Sequence, residues 1–217
     1  KVKMRKCCEG TDITTIGYHQ ASIYEEAKKS IDQLRLPLII KPVDNQGSRG
    51  VSKIDSYENF YEKFSLAKKY SASGTVIIEE FFQGQEIVIE GFASNFQFQN
   101  LIIGDSENFD ISDMFIPRQR LFPTTLNREF KNKVLALNKK LVEKMGLKFG
   151  ITHSEYLVNE NSGEICLMEI AARGGGVFIS SDLIPLGCRI DVNDLLIELA
   201  TGGTAAIDMQ KFIEASS

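Results

Sequence analysis

The sequence predicts an α+β protein built as two αβ lobes, with a mostly antiparallel sheet in the larger one. Three observations carry this. Over residues 11–80, runs with helical spacing alternate with short apolar runs, the pattern of a small αβ lobe. Two long strand-like runs, 85–93 and 96–104, come next and are joined by a tight turn at Ser94 and Asn95. Further on, strand-like runs at 151–158 and 164–171 flank the turn-like stretch Asn159, Glu160, Asn161, Ser162 and Gly163, which reads as a hairpin.

The elements come in this order. Residues 1–10 open in mid-pattern and read as the remnant of a linker from a preceding domain, with 11–80 as the small lobe and 81–217 as the large one. Residues 22–34 carry Ile23, Ala27, Ile31 and Leu34 at helical spacing, with Ser22 as N-cap and Glu25 as its capping-box partner. Leu38, Ile39 and Ile40 form a short buried strand that ends at Lys41 and Pro42. A glycine-bearing loop at 44–50 leads to a strand at 51–55. Residues 56–70 make a second helix, capped by Ser56, with Phe60, Phe64 and Ala67 on one stripe. A strand at 75–79 and a link at 80–83 close the lobe. In the larger lobe the two long strands precede a polar loop at 105–125. A helix at 126–145 then turns Val134, Leu137, Leu141 and Met145 inward. After it come the hairpin, a glycine-rich turn, and a last helix at 191–200 ended by Gly202 and Gly203.

Composition excludes several classes. The 217 residues carry a formal net charge of −4, which argues against a non-specific nucleic-acid binder, whose footprint is basic. No apolar run approaches the roughly 20 residues needed to span a bilayer, and no signal peptide is recognisable. The four cysteines lack metal-ligand spacing and read as free thiols of a cytoplasmic protein.

The hairpin holds the most informative residues. Folded symmetrically about Ser162, it sets Glu155 directly opposite Glu169. Opposed residues share a face, with β-carbons about 4.5–5.5 Å apart. Two carboxylates that close require a proton or a cation between them. Hard oxygen ligands with room for water and phosphate describe a Mg²⁺ site. On this register Tyr156, Val158, Cys166, Met168 and Ile170 form an apolar face. The other face carries His153, Glu155 and Leu157 opposite Ala171, Glu169 and Leu167, and continues into Arg173 and Gly174, Gly175 and Gly176. Acid, imidazole and guanidinium ending in glycines suit the floor of a site for an anionic ligand and its metal. A solvated hairpin with two neighbouring acids is the plainer alternative.

Lys41 ends an apolar strand and can reach forward to a phosphate as a point charge. Gly47 and Gly50 let backbone N–H groups turn inward as an anion-binding concavity, with Ser48 and Arg49 as extra donors. Neither a Walker phosphate loop nor a dinucleotide glycine pattern is present. A simple hairpin turn is the alternative for this loop. The link from Ile77 to Glu86 contains Glu79, Glu80, Phe81 and Phe82; an extended link offers backbone groups to an adenine edge, and a phenylalanine can cover the ring. Glu86 lies where a ribose could donate its hydroxyl hydrogens. Solvated acids and core aromatics are the alternatives.

In order and spacing these pieces resemble the ATP-grasp superfamily over nearly the whole chain, nearest to carboxylate–amine ligases and carbamoyl-phosphate-synthase-like proteins. The residues that carry the resemblance are Lys1 to Arg5, Ile39 to Pro42 with its glycine loop, Glu79 to Glu86, and Met168 to Arg173 with its glycines. The resemblance implies an ATP-grasp fold, two αβ lobes gripping ATP. Lys1 and Lys41 would contact ATP phosphates, and Gly47, Ser48, Arg49 and Gly50 would form a mobile phosphate lid. Glu79, Glu80 and Phe82 would bind adenine, and Glu86 the ribose. Glu155 and Glu169 would hold Mg²⁺, and Arg173 would stabilise the phosphoryl group or acyl phosphate. The implied catalytic residues are therefore Arg173 and Lys41, and the implied cofactors ATP and Mg²⁺. Small-molecule carboxylate and amine substrates, and a missing N-terminal αβ domain of the same protein, are the implied partners; a homodimer is compatible with it.

Two departures stand out. Family members commonly place Asn two residues after the second metal-binding Glu, where this chain has Ala171. The second is that the resemblance implies an αβ domain ahead of the Lys1 region, which residues 1–10 do not supply. The expected activity is ATP-dependent activation of a carboxylate as an acyl phosphate for attack by an amine. One rival is a nucleotide-binding module of a larger synthase with weak or no activity of its own. The other is a phosphotransferase with His153 as general base. Arg118 and Arg120, in the expected loop, border the acceptor site on this reading.

Overall fold

Alternating burial along Leu38–Pro42, with the apolar side chains of Leu38 and Ile40 fully inside, is what an antiparallel strand packed on one face requires. The computed structural model describes residues 1–95, 97–109, 115, 117–176 and 178–203. Its contacts divide the chain into two units. One comprises Lys1–Gly10, Thr14–Gly84 and Glu107–Gln119; the other comprises Thr11–Ile13, Gln85–Ser106 and Arg120–Ser217.

The first unit runs α1 (Val2–Cys8), β1 (Tyr18–Ala21), α2 (Tyr24–Gln33), β2 (Leu38–Pro42), β3 (Ser52–Ile54), α3 (Phe60–Lys69) and β4 (Val76–Glu80). Its strands form an antiparallel sheet in the order β1-β4-β2-β3. Ala27 and Leu34 from the α2 region and Phe60, Phe64 and Ala67 from α3 pack with Leu38, Ile40, Ile54, Val76 and Ile78 into one core. Of the expected stripes, Ala27, Leu34, Phe60, Phe64 and Ala67 are buried and Ile31 packs against them, whereas Ile23 is exposed because it caps α2 from outside. The cap of α2 differs: the Glu26 carboxylate, not that of Glu25, accepts from the backbone N–H groups of Ser22 (2.8 Å) and Ile23 (3.4 Å). The helix starts one residue later than Ser22 would set it, which moves the matching acid one position along.

The second sheet and its helices comprise β5 (Gln85–Ser94), β6 (Gln97–Asn108), β7 (Pro117–Leu121), α4 (Arg128–Met145), β8 (Gly150–Asn159) and β9 (Glu164–Ala171), with Glu107–Asn108 of β6 and Pro117–Gln119 of β7 counted in the first unit. A π-helical turn (Ile179–Leu183), α5 (Ile184–Cys188) and α6 (Val192–Ala200) complete the second unit. Strand order is β7-β6-β5-β8-β9, so β5 is central and its residues 87–93 are all buried. α4 begins at Asn127, whose side chain accepts from the Phe130 N–H, and ends at Gly146 in the left-handed region. On its inner side the Tyr156 hydroxyl donates to Asn138 (2.9 Å), which in turn donates to Asn100 (2.8 Å), a buried polar chain that fixes the helix on the sheet. No helix among the described residues is long and apolar enough to cross a membrane.

Two expectations need correction. The stretch 105–125 is not one polar loop: β6 runs on to Asn108, and Pro117–Leu121 is an edge strand. Asp105 anchors the turn between β7 and α4, accepting from the hydroxyls of Thr124 (2.5 Å) and Thr125 (2.6 Å) and from the Thr125 N–H. Residues 110–114 and 116 of that stretch, and Phe96 at the expected start of the preceding strand, lie outside the described residues. The other correction is the register of the hairpin. His153↔Ala171 and Glu155↔Glu169 pair as the symmetric fold predicts, but Tyr156 then pairs with Leu167 and Leu157 with Cys166. A bulge absorbs Met168, so Leu167 joins the Tyr156 face and Cys166 leaves it.

Candidate active site

In the first unit, β2 and β4 turn Lys41 and Glu79 to the sheet face opposite the helices. Ile39 pairs with Glu79 and Lys41 with Ile77, so the two charged residues share one face. Glu79 is only 2% exposed, and its carboxylate receives Lys41 Nζ at 2.5 Å and Arg5 Nε at 2.5 Å. Burial alone would raise this carboxyl, but the charges of Lys41 and Arg5 outweigh it and hold it at about 2. Glu79 thus fixes the direction of Lys41 from a buried position. Glu80 accepts from the backbone N–H groups of Gly17 (3.3 Å) and Arg35 (3.1 Å). Phe82 is half-buried, and Lys53 Nζ lies 5.0 Å from the centroid of the Phe81 ring.

Lys1 Nζ donates to the Asn45 carbonyl at 2.8 Å, at the entrance to the glycine loop. Gly47, Ser48 and Gly50 all have positive φ (66°, 55° and 74°), the turned backbone that a concave run of N–H groups needs. Arg49 Nε donates to the Gln46 carbonyl at 3.4 Å, and the Asn45 side chain ties the loop to the Tyr70 carbonyl at 2.8 Å.

In the second unit the charged residues gather on one face of the sheet. Glu90↔His153, Val88↔Glu155 and Glu86↔Leu157 pair between β5 and β8, and Glu155↔Glu169 between β8 and β9. Glu86, Glu90, His153, Glu155 and Glu169 therefore share this face. Glu90 is fully buried, and its carboxylate holds His153 Nδ1 while accepting from the Gly175 N–H at 3.1 Å. His153 Nε2 lies 3.0 Å from Glu155 Oε1, and Arg120 Nη2 reaches the same oxygen at 3.0 Å. Arg120 is thus gathered to Glu155, while Arg118 pairs with Glu107 at 2.7 Å. Arg173 is exposed and donates to the Gly174 carbonyl at 2.8 Å.

These contacts set the charges. Burial alone would lower His153, but its hydrogen bonds to Glu155 and Glu90 prevail and push it up to about 9. With both ring nitrogens held by carboxylates the imidazolium form is favoured, a form that suits neither metal ligation nor a base role. Burial would likewise raise Glu155, yet His153 and then Arg120 hold it at about 2. The donor set fits a hard divalent cation: two carboxylates opposed on one face. Among the described residues no cluster of three or more His, Cys, Asp or Glu side chains forms a metal cage. Glu155 and Glu169 would thus hold Mg²⁺ with water and phosphate completing the shell, which suits the reluctance of Mg²⁺ to shed water.

Gly175 explains part of the glycine run. A β-carbon there would meet His153 Nδ1 at 2.9 Å and Glu90 Oε1 closer still. Gly175→Ala should therefore cost about 1–3 kcal/mol in urea unfolding, the usual range for overpacking. An unchanged midpoint would show that the turn is not pressed against the pair.

Sequence reasoning missed Glu90, the Arg5–Glu79 pair and the Arg120–Glu155 pair. Glu90 left a signal, a single acid inside the otherwise apolar run from Ile87 to Ala93. The other two join residues far apart in sequence and left none.

A family model described as an ATP-grasp domain matches residues 34–182, and the chain belongs to the ATP-grasp family. Among curated relatives it is 28% identical over 196 residues to the alanine–anticapsin ligase of Bacillus subtilis (strain 168), covering 81% of this chain and 41% of that protein. It is 24% identical over 189 residues to the D-alanine–D-alanine ligase of Janthinobacterium sp. (strain Marseille), covering 83% of this chain and 58% of the relative. The structure of an L-amino acid ligase from Bacillus licheniformis superposes with a TM-score of 0.77 at 21% identity, over 99% of this chain and 49% of that one. The chain spans about half the length of the curated relatives it matches.

Proposed function

We propose that the chain is the ATP-using core of a ligase that activates a carboxylate as an acyl phosphate, which an amine then attacks. The observation that carries this reading is the Glu155↔Glu169 pair on a face that also bears Glu86 and is joined by Arg120. The names of the relatives, alanine–anticapsin ligase and D-alanine–D-alanine ligase, support an amino acid as the carboxylate substrate.

The roles divide by chemistry. Mg²⁺, held by Glu155 and Glu169, supplies neutralisation of charge on the phosphate oxygens. Lys41 and Lys1 bring positive charge to the phosphates, and Glu79 holds Lys41 in direction. The loop of Gly47, Ser48, Arg49 and Gly50 donates N–H groups to the terminal phosphate. Glu80 and Phe82 belong to the adenine region and Glu86 to the ribose. Arg173 binds the acyl phosphate, where a planar guanidinium matches two oxygens at once. Positioning and charge neutralisation account for catalysis of such a phosphoryl transfer.

The direct test is ADP release with amino acid pairs in the presence and absence of Mg²⁺. Release that depends on both the pair and the metal is expected; no turnover and no ATP binding by calorimetry would end the proposal. Lys41→Ala should lower kcat by about 10–100-fold, the worth of a charge-assisted contact. Since Lys41 also pairs with buried Glu79, alanine should cost stability too, so kinetics belong well below the melting temperature. A kcat near that of the unsubstituted protein would remove Lys41 from the phosphate site.

A further inference from the structure

We infer that Arg120 is the resident counter-ion of the metal site: it holds Glu155 while no divalent cation is present and yields that carboxylate when the cation arrives. The inference rests on Glu155 and Glu169 being metal ligands. Three observations point to it. Arg120 Nη2 sits 3.0 Å from Glu155 Oε1, with the two side chains 15% and 20% exposed. That single oxygen also receives His153 Nε2 at 3.0 Å. And Arg120 Nη1 is buried with no hydrogen-bond partner among the described residues.

A guanidinium is a fork that pairs best with two acceptor oxygens. Here one prong is used and the neighbouring one is buried unsatisfied, an arrangement that costs free energy unless another state fills it. Both donors crowd onto the carboxylate that a metal would need. They are not held equally. His153 is clamped on both ring nitrogens, by Glu90 and Glu155, with Gly175 pressed against it. Arg120 extends from edge strand β7 and holds Glu155 by one contact. When a cation takes Glu155, Arg120 is the partner that leaves. Its two Nη groups are then available to an anion beside the metal, the phosphate or the carboxylate being activated.

Mn²⁺ alone, followed by electron paramagnetic resonance without nucleotide, is the probe. Arg120→Met and Arg120→Gln remove the competitor and should tighten Mn²⁺ binding about tenfold, because a charge-assisted hydrogen bond no longer has to be broken. Arg120→Lys keeps the charge and should stay near the unsubstituted affinity. A purely structural Arg120 predicts weaker binding, not tighter. Unchanged or weakened Mn²⁺ affinity in both neutral variants overturns the inference. A second readout uses the unsubstituted protein. The arginine ¹⁵Nε signal that disappears in Arg120→Lys should shift when Mg²⁺ is added; a signal that stays put with Mg²⁺ bound also overturns it, even where neutral variants fail to fold. If Mn²⁺ binds neither the unsubstituted protein nor any variant, with or without ATP, the metal site itself falls, a result distinct from bound Mn²⁺ of unaltered affinity.

Discussion

Glu79→Gln is expected to lower the stability of the protein by about 3–5 kcal/mol, the cost of breaking a buried ion pair from one side. The carboxylate is 2% exposed and lies between Arg5 and Lys41, themselves 5% and 12% exposed. Glutamine keeps the shape but leaves two cations facing a neutral amide in a poorly hydrated place. The unsubstituted protein should show the same interaction as a pH dependence. The folded carboxyl is held at about 2, below its ordinary value of 4.5. A depressed acid contributes stability that is fully present above the unfolded pKa and is lost as pH falls through the folded one. The contribution should therefore fade between about pH 4.5 and pH 2, and the Gln variant should lack that part of the slope. Urea unfolding of both proteins across this range measures it. A loss under about 1 kcal/mol at neutral pH would mean that the cluster is solvated, and that Lys41 is not aimed by Glu79.

The sequence read Glu79 and Glu80 together as adenine-binding acids, with a solvated strand end as the plainer alternative, and did not separate the two. Glu79 and Glu80 look alike in a string of letters, yet β4 turns one to a buried face and the other to the backbone of Gly17 and Arg35. Which acid is buried depends on Arg5, 74 residues away, and no local pattern announces that. The helices were legible because Phe60, Phe64 and Ala67, or Val134, Leu137 and Leu141, repeat at a helical period strong enough to survive small errors of capping. Strand β7 was not: Pro117–Leu121 is an exposed edge with little alternation, so its polar residues look like loop. The hairpin shows both outcomes at once. Turn residues and alternation were enough to oppose Glu155 and Glu169, while the bulge that skips Met168 is not encoded by alternation. Family membership became visible only when four weak motifs were taken in order, since each alone has a commonplace explanation.

Glu169→Gln should lower turnover by about 10²–10³-fold, because a metal that has lost one of its carboxylates supplies several kcal/mol less charge stabilisation in the transition state. Ala171 offers no side-chain oxygen to compensate: it sits across from His153, whose imidazolium form Glu90 and Glu155 favour. Glu155→Gln should lose activity to a similar extent and also lower the melting temperature. Its carboxylate is the acceptor for both Arg120 and His153, so neutralising it should cost about 1–3 kcal/mol even with no metal present. Both acids serve the metal, and Glu155 also serves the fold through Arg120 and His153. Thermal melts with and without Mg·ATP, together with ADP release, decide this. A solvated hairpin predicts little change in any of the four comparisons. Near-normal turnover in Glu169→Gln would leave the metal site without its second ligand and the ligase mechanism without support.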